Sequence, residues 1–390
     1  SVNTILEMAE YKKAGSCKVL IVTGCMAQRY KNEIIEEVPE VDAVLGTTSY
    51  GDILKAINEA MEGKHFEEFK DIDYLPEKLG KRVLTTGGHF GYLKIAEGCD
   101  KHCTYCIIPK LRGKFRSVPM ERLIEQAKEM AEEGVKELIL VAQETTVYGT
   151  DIYGKKSLHV LLKELCKIKG IRWIRVLYCY PEEIYDELIQ TMKEEKKICH
   201  YLDLPIQHAS DRILKRMGRR TTQAELVAIV NKLRQEIPDI VLRTTLISGF
   251  PGETQEDHEE LMGFVDEMEF DRLGVFTYSA EEDTPAATMP DQVPEEVKEE
   301  RRDEIMELQQ EISYDKGTDR IGQELLVMIE GKVADESAYI GRTYGDAPKV
   351  DGYIFVQTGE LLMTGDFAKV RVTGALEYDL IGELADEYTE

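Results

Sequence analysis

The sequence lacks the long apolar runs that mark a membrane protein. Among its 390 residues, no apolar stretch approaches the ~20 residues that a helix needs to cross a bilayer. The chain opens on Ser1-Val2-Asn3, which is neither a signal peptide nor an initiator Met. We therefore expect a cytoplasmic protein without a membrane partner, and one whose own N-terminus is missing. Internal repeats and low-complexity tracts are also absent from the sequence.

Positive charge is scarce. Lys and Arg number 49 against 74 Asp and Glu, which gives a formal net charge of -25. Such a deficit argues against a broad face for nucleic-acid phosphates, because like charges repel. The composition favours a basic protein as the large partner and makes tRNA an unexpected one.

Cysteine is too sparse for a disulfide scaffold, since the chain has only 8 in 390 residues. Three of them, however, crowd into the segment Cys99–Cys106. In a reducing compartment, clustered cysteines indicate metal binding.

The first 62 residues alternate between short apolar runs and amphipathic stretches, which is typical of an open α/β layer. The predicted strands are Lys18–Thr23 and Val41–Gly46, and the predicted helices are Ile5–Tyr11, Gln28–Val38 and Asp52–Met61. We assign residues 1–62 to a partial N-terminal domain. Residues 63–88 carry mixed charges and the Gly87-Gly88 pair, and we interpret them as a linker.

Residues 89–316 contain six apolar strand candidates separated by amphipathic helix patterns. The strand candidates are Tyr92–Ala96, Glu137–Ala142, Trp173–Tyr178, Tyr201–Pro205, Ile240–Ile247 and Leu273–Tyr278. Helical crossovers between successive strands require a parallel sheet. We predict an α/β fold whose sheet curves into a partial (βα)6 barrel, with functional loops at the carboxyl ends of the strands.

Residues 317–390 change to a period of two, with Gly and Asp turns between the apolar runs. This pattern predicts a small β-barrel. From Gly322 to the end the segment holds 14 acidic and 5 basic residues, so its field is negative. A negative barrel repels an RNA backbone and suits a Lys- and Arg-rich protein.

The spacing of Cys99, Cys103 and Cys106 suits an iron-sulfur cube. Intervals of four and then three residues let a short loop place three thiolates on three irons of a [4Fe-4S] cluster. The fourth iron then has no protein ligand and is open to a reagent. The alternatives are a structural zinc site with His102 as its fourth ligand, or three unconnected thiols.

With Tyr105 before Cys106, this segment resembles the signature of the radical S-adenosylmethionine enzymes. The resemblance implies that S-adenosylmethionine binds the open iron and is cleaved by one electron to a 5'-deoxyadenosyl radical. It also implies cofactor contacts at Tyr105, at Gly249 and Pro251 in a strand-ending turn, and at Gln143 and Glu144. A plain turn and a polar loop remain the alternatives for these last two segments.

Over nearly its whole length the chain is similar to the methylthiotransferases within that group, whose terminal β-barrel is a TRAM domain. In that family three N-terminal cysteines hold a second [4Fe-4S] cluster, and the segment Val22–Tyr30 matches the third of them at Cys25. The other two ligands are absent from this chain. We therefore expect residues 1–390 to assemble one cluster and to cleave S-adenosylmethionine, but to form little methylthio product.

The family has a branch that modifies a tRNA adenosine and a branch that modifies a ribosomal protein. Gln143–Asp151, Tyr178–Pro181 and Leu202–Ser210 favour the second branch. The resemblance then implies methylthiolation of the β-carbon of an aspartate in small-subunit ribosomal protein S-twelve, with an external electron donor. We expect a monomer. The alternatives are a tRNA adenosine methylthiotransferase and a non-catalytic iron-sulfur or zinc protein that binds ribosomal proteins.

Two further groups of residues have less specific patterns. Arg112–Arg116 is locally basic, and it is interpreted either as a solvated loop or as a contact to the cluster or to a substrate carboxylate. Cys166, Cys179 and Cys199 lack ligand spacing, so we predict buried thiols.

Overall fold

A computed structural model describes residues 2–31, 33–75, 83–334 and 336–389. The chain divides into two compact units. The first comprises Ser1–Val83, Glu97–His102 and Cys106–Val118, and the second comprises Leu84–Ala96, Cys103–Tyr105 and Pro119–Glu390. Each unit has a hydrophobic core of its own.

The first unit contains a small parallel sheet in the order β1-β2-β3. Its core joins strand residues such as Val22 and Val44 to Ala9 and Ala27 of the covering helices. The elements are α1 (Val2–Lys13), β1 (Ile21–Thr23), α2 (Cys25–Tyr30), α3 (Glu33–Glu37), β2 (Ala43–Leu45), α4 (Ile53–Met61) and β3 (Phe66–Glu68).

Two predictions for this region need correction. The single helix predicted at Gln28–Val38 is two helices, because Lys31 has a φ of 42°, which a right-handed helix cannot continue. The predicted linker 63–88 contains β3, which pairs with β2. Residues 76–82 of that linker lie outside the described residues.

The second unit is built on a six-stranded parallel sheet in the order β11-β10-β9-β8-β7-β4. This confirms the predicted α/β fold with six parallel strands. Those strands are β4 (Phe90–Lys94), β7 (Glu137–Val141), β8 (Trp173–Val176), β9 (Ile198–Asp203), β10 (Val241–Ser248) and β11 (Arg272–Thr277). A separate two-stranded sheet consists of β5 (Ala96–Glu97) and β6 (Arg116–Ser117).

Helices connect successive strands, as a parallel sheet requires. Two of them begin with capping boxes, at Thr222 with Glu225 and at Thr254 with Asp257, which satisfy backbone N–H groups of the first turn. The helices are α5 (Ile108–Arg112), α6 (Met120–Glu132), α7 (Thr150–Tyr153), α8 (Leu158–Cys166), α9 (Asp186–Glu194), α10 (Asp211–Arg216), α11 (Gln223–Glu236), α12 (Gln255–Met268) and α13 (Glu295–Thr318).

The C-terminal segment forms the predicted β-barrel, closed in the order β12-β13-β14-β16-β15. The pair β14 and β16 is parallel, and the other described pairs are antiparallel. The strands are β12 (Glu324–Lys332), β13 (Ala338–Arg342), β14 (Ile354–Gln357), β15 (Phe367–Ala375) and β16 (Leu380–Thr389).

This C-terminal barrel shares a hydrophobic core with the six-stranded sheet. Met328 and Phe367 pack in one cluster with Phe90, Trp173 and Tyr201. The rings of Trp173 and Phe367 meet edge to face with centroids 4.9 Å apart. Burial of this shared apolar surface makes the two parts one compact unit, although the sequence pattern predicts a boundary at residue 316.

A buried ion network supports the same junction. Arg175 Nε lies 2.8 Å and Arg342 Nη2 lies 2.7 Å from the two carboxylate oxygens of Glu137, and all three side chains are fully buried. Burial raises the pKa of Glu137, but the two guanidinium groups outweigh it and lower the pKa overall. Arg342 on β13 therefore fixes the C-terminal barrel to β7.

Among the described helices, none combines the length and the apolarity that crossing a bilayer requires.

Candidate functional site

The loop after β4 begins in the first unit with a tight turn. Gly98 has a φ of 74°, and a Cβ there would lie 2.1 Å from the Lys114 carbonyl oxygen, so only glycine fits. The Cys99 N–H donates to the Gly113 carbonyl at 3.2 Å, and Cys99 is 7% exposed. This part of the loop is therefore held close to the segment that follows it.

The segment Cys103–Tyr105 is fixed within the second unit by its central residue. The Thr104 N–H donates to the Met217 carbonyl, and the Thr104 carbonyl accepts from the Ala286 N–H, both at 2.9 Å. The Tyr105 ring packs edge to face on Phe250 at 6.3 Å. Cys103 is thereby held in place with only 7% of its surface exposed.

Tyr180 lies beside Cys103, with its hydroxyl oxygen 3.9 Å from the Cys103 Sγ. Its N–H donates to Thr146 Oγ1 at 3.2 Å, and the Thr146 hydroxyl donates to Glu144 Oε1 at 3.0 Å. Glu144 is 2% exposed. Glu144, at the carboxyl end of β7, thus positions an aromatic residue that follows β8.

A buried guanidinium completes this side of the site. The Arg219 guanidinium lies over the Tyr180 ring, 4.4 Å from its centroid, and the Arg219 side chain is 1% exposed. Its Nη2 donates to the Pro205 carbonyl at 3.0 Å, whereas Nε and Nη1 have no hydrogen-bond partner among the described residues. Buried donors without partners are costly, so this pair points to an anionic ligand.

The Arg219 guanidinium carries a positive charge. Burial would lower the pKa of its guanidinium, but the negative charge available on Tyr105, Glu182 and Cys103 raises it above its ordinary value. Arg219 is therefore a permanent cation next to a predicted cluster ligand.

Gln143 provides a hydrogen-bond acceptor, in contrast to the N–H donors of Arg219. Its Oε1 is buried and accepts no hydrogen bond from any described residue. A buried amide oxygen without a donor suits a ligand that carries N–H groups.

The turn Gly249–Pro251 is held by protein contacts. Glu253 accepts the N–H groups of Gly249 at 2.8 Å and Phe250 at 3.1 Å. Gly249 has a φ of 71°, and a Cβ there would lie 2.2 Å from the Lys298 Cγ. The glycine is thus needed for backbone shape and for packing against α13, whether or not a ligand contacts it.

Cys25 is the first residue of α2, and Gly24 alone separates it from the end of β1. Within the first unit Arg112 Nε donates to the Cys25 Sγ at 3.1 Å, and Arg112 Nη1 lies 3.6 Å from Glu97. Arg116 Nη1 lies 3.2 Å from Asp73. Arg112 and Arg116 are therefore paired within the protein, so the solvated-loop interpretation is wrong for these two arginines, whereas Lys114 is exposed.

Cys166, Cys179 and Cys199 all lie in the second unit. Cys179 and Cys199 are buried, and burial raises the pKa of each thiol to about 12. Cys166 is half-buried, and burial likewise raises its pKa to about 12. The prediction of buried thiols is confirmed for Cys179 and Cys199, whereas Cys166 is only half-buried. In all three, burial disfavours the thiolate form that binds metals.

Among the described residues, no group of three or more His, Cys, Asp or Glu side chains converges on a single point as the ligands of one metal ion do. A [4Fe-4S] cube makes a different demand, because each thiolate binds its own iron. The fit of Cys99, Cys103 and Cys106 to a cube therefore rests on their donor chemistry, their spacing and the buried cation beside Cys103.

The sequence pattern alone missed Arg219 and Tyr180. Tyr180 lies in Tyr178–Pro181, a segment whose pattern indicates only one branch of the family. The one signal for Arg219 is the adjacent pair Arg219-Arg220 in an acidic chain, and it does not show which of the two is buried.

Three family models match the chain. Residues 93–265 match the radical SAM superfamily, residues 321–385 match the TRAM domain, and residues 1–46 match the uncharacterized protein family UPF0004.

Curated relatives match along almost the entire chain. The ribosomal protein uS12 methylthiotransferase RimO of Lachnoclostridium phytofermentans is 65% identical over 382 residues, covering 98% of this chain and 87% of the relative. The protein of the same name from Clostridium perfringens is 54% identical, covering 99% and 86%. That from Clostridioides difficile is 50% identical, covering 99% and 87%.

Among solved structures, coproporphyrinogen III oxidase (HemN) from Escherichia coli, a radical SAM enzyme, is similar with a TM-score of 0.45. It is 17% identical, and the match covers 73% of this chain and 66% of that one.

Proposed function

Because the chain belongs to the RimO family of ribosomal protein uS12 methylthiotransferases, we propose that it methylthiolates uS12. The proposed target is the β-carbon of an aspartate, with S-adenosylmethionine as methyl donor and radical source. The observation that carries this proposal is 65% identity over 98% of the chain. Because the match covers 98% of the chain, it includes the cluster loop, the sheet and the C-terminal barrel.

Membership of the radical SAM superfamily implies one [4Fe-4S] cluster and S-adenosylmethionine. When bound, these supply one-electron chemistry that removes hydrogen from an unactivated carbon. We assign Cys99, Cys103 and Cys106 as the cluster ligands. The support is their spacing, the burial of Cys99 and Cys103, and the hydrogen bonds that fix both halves of the loop.

Arg219 is assigned to the carboxylate of S-adenosylmethionine. Its buried Nε and Nη1 have no hydrogen-bond partner among the described residues, and a charge-assisted hydrogen bond to a carboxylate oxygen would satisfy either of them. Gln143 is assigned to the amino group, since its buried Oε1 accepts no hydrogen bond from the residues that the structure describes. Each assignment gives a partner to a polar atom that the described part of the chain leaves unpaired.

The other predicted contacts keep supporting roles in the proposal. Glu144 acts through Thr146 on Tyr180. Tyr105, Gly249 and Pro251 shape the site, with Tyr105 anchored on Phe250 and the turn anchored by Glu253. These residues exclude water and set the backbone.

Cys25 is proposed as one ligand of a second [4Fe-4S] cluster, the site of sulfur transfer. The Arg112 N–H on its sulfur supports this assignment, because a donor to the sulfur stabilises the negative charge that a cluster ligand carries. An external electron donor, a monomeric state and a cytoplasmic location remain predictions from the sequence.

The decisive experiment combines two measurements on protein reconstituted with iron and sulfide. The chain with S-adenosylmethionine and a reductant should release 5'-deoxyadenosine. The complete gene product should place a methylthio group in place of hydrogen on an aspartate of uS12, detected by mass spectrometry of tryptic peptides.

Matched cysteine variants control this experiment. Cys103→Ala should lose the cluster and the 5'-deoxyadenosine, whereas Cys199→Ala should keep both, because Cys199 is a buried core thiol. A methylthio group found on tRNA and not on uS12 would establish the tRNA alternative. One zinc per chain, without a brown chromophore, would establish the non-catalytic alternative.

A further inference from the structure

We propose that Tyr180 is a positioning residue that tunes the cluster, by donating a hydrogen bond from its hydroxyl to the Cys103 thiolate and so favouring the reduced state. This inference rests on the proposed function, since it requires a cluster on Cys103. It assigns a role to a residue that has no other chemistry in the proposed reaction.

The first support is the contact itself. The hydroxyl oxygen of Tyr180 lies 3.9 Å from the Cys103 Sγ, within reach of a hydrogen bond to the large sulfur atom. Cys103 is only 7% exposed, so water competes little for the sulfur. A hydrogen bond at such a place acts in a low-dielectric surrounding, where it is stronger than in water.

The second support is that the backbone of Tyr180 is fixed. Pro181 restricts the preceding residue to extended geometry, and Tyr180 has φ -80° and ψ 130°. Its N–H is bound by Thr146, which is in turn held by the buried Glu144. The hydroxyl is therefore already held in position before the cluster forms, so little conformational entropy is lost when its hydrogen bond is made.

The third support is the cation on the ring. Arg219 lies 4.4 Å from the centroid of Tyr180, and this guanidinium is almost completely buried. A cation over an aromatic face draws electron density from the ring. The phenol becomes a stronger hydrogen-bond donor as a result.

These contacts favour the reduced cluster. An added electron increases the negative charge on the cluster and its sulfur ligands, and a donor aimed at a ligand sulfur stabilises the more negative state. Removing the hydroxyl should therefore lower the midpoint potential. It should leave the number of bound irons unchanged, because the three thiolates remain.

The test is a redox titration with dithionite, followed by the electron paramagnetic resonance signal of the reduced cluster. Tyr180→Phe keeps the ring under Arg219 and removes only the hydroxyl. At a fixed ambient potential, the ratio of reduced to oxidised cluster should fall by about three- to tenfold, as expected for one lost hydrogen bond.

Tyr185→Phe is the matched control. Tyr185 also has a cation over its ring, Lys156 at 5.4 Å, and its hydroxyl lies 3.1 Å from His159 Nδ1. The described hydrogen bonds of the Tyr185 hydroxyl are to the backbone N–H and the ring of His159, and not to a cysteine. This variant should leave the reduced fraction unchanged.

A second replacement should change the reduced fraction of the cluster in the opposite direction. 3-Fluorotyrosine at position 180 keeps the shape and strengthens the phenol as a donor, so the reduced fraction should rise. Should both replacements keep the wild-type potential with full iron content, Tyr180 does not tune the cluster and the inference is overturned. A wild-type protein that binds no cluster refutes the proposed function instead, so the two failures are distinguishable by iron analysis.

Discussion

At the scale of single residues, Arg219 is the clearest candidate for a direct contact with S-adenosylmethionine. Its neighbour Arg220 has the same chemistry but is exposed, which makes it a natural control. Arg219→Gln should weaken S-adenosylmethionine binding about tenfold or more, because hydrogen bonds to a charged group each contribute about 1.5–3 kcal/mol. Isothermal titration of the reconstituted protein measures this effect, and equal weakening by Arg220→Gln would contradict the assignment.

Gly249 is a residue whose identity is dictated by its surroundings. Gly249→Ala should lower the free energy of unfolding by about 1–3 kcal/mol or more, because its positive φ and the nearby Lys298 both oppose a Cβ. Gly263, within α12, has open space around it. Gly263→Ala should stabilise by about 0.5–1 kcal/mol, so urea denaturation of the two variants should give opposite signs.

Among single residues, the cluster ligands could be predicted from the sequence and the residues around them could not. The spacing of Cys99, Cys103 and Cys106 could be interpreted because it is a short local pattern. The contacts of Tyr180 with Cys103 and Arg219 could not be predicted, because these residues meet only after the sheet has formed. Nothing in a single sequence distinguishes the buried Arg219 from the exposed Arg220.

At the scale of elements, the start of α12 combines a capping box with a charge contact to α10. Asp257 accepts from the Thr254 N–H at 2.8 Å and from the Ser210 hydroxyl at 2.7 Å, and it pairs with Arg212. Burial raises the pKa of Asp257, but these hydrogen bonds outweigh it and lower the pKa to about 2.

This lowered pKa predicts a pH dependence of stability. A carboxyl whose pKa falls on folding stabilises the protein above its unfolded pKa, and this contribution disappears as the pH falls through the folded value. Asp257→Asn should therefore cost roughly 2 kcal/mol at neutral pH and almost nothing near pH 2. Chemical denaturation of both proteins across that range measures the difference, and a pH-independent cost would contradict this account.

Elements with a strong pattern were predictable, and short or interrupted elements were not. All six strands of the parallel sheet were predicted to within a few residues, because buried parallel strands are nearly continuous apolar runs. Strand β3, Phe66–Glu68, has only one apolar residue among charges, so its sequence indicated a linker. The break between α2 and α3 depends on the backbone angle of Lys31, which no periodicity encodes.

At the scale of the whole molecule, the second unit depends on the buried ions between the sheet and the C-terminal barrel. Arg342→Leu leaves the buried Glu137 with one cation fewer, and we expect a loss of about 3–5 kcal/mol in the free energy of unfolding. Arg371→Leu, in the same barrel, breaks a half-exposed pair with Glu324 and should cost at most about 1 kcal/mol. Denaturation curves of the two variants compare these effects, and equal costs would show that the network does not hold the junction.

The junction could not be predicted from the sequence. Glu137 and Arg342 are 205 residues apart, and neither has a local pattern that marks it as buried. The change of period near residue 317 correctly predicted the β-barrel. It did not reveal that this barrel packs on the sheet through a core that includes Phe90 and Phe367.

The shared core limits how this enzyme can be rebuilt by exchanging modules. A C-terminal barrel taken from an unrelated protein would lack the side chains that pack on Phe90, Trp173 and Tyr201, and it would lack the second of the two cations that pair with Glu137. A grafted barrel would have to provide both the apolar side chains that pack on the sheet and a cation that pairs with Glu137. The barrel and the sheet on which it rests would therefore have to be exchanged together.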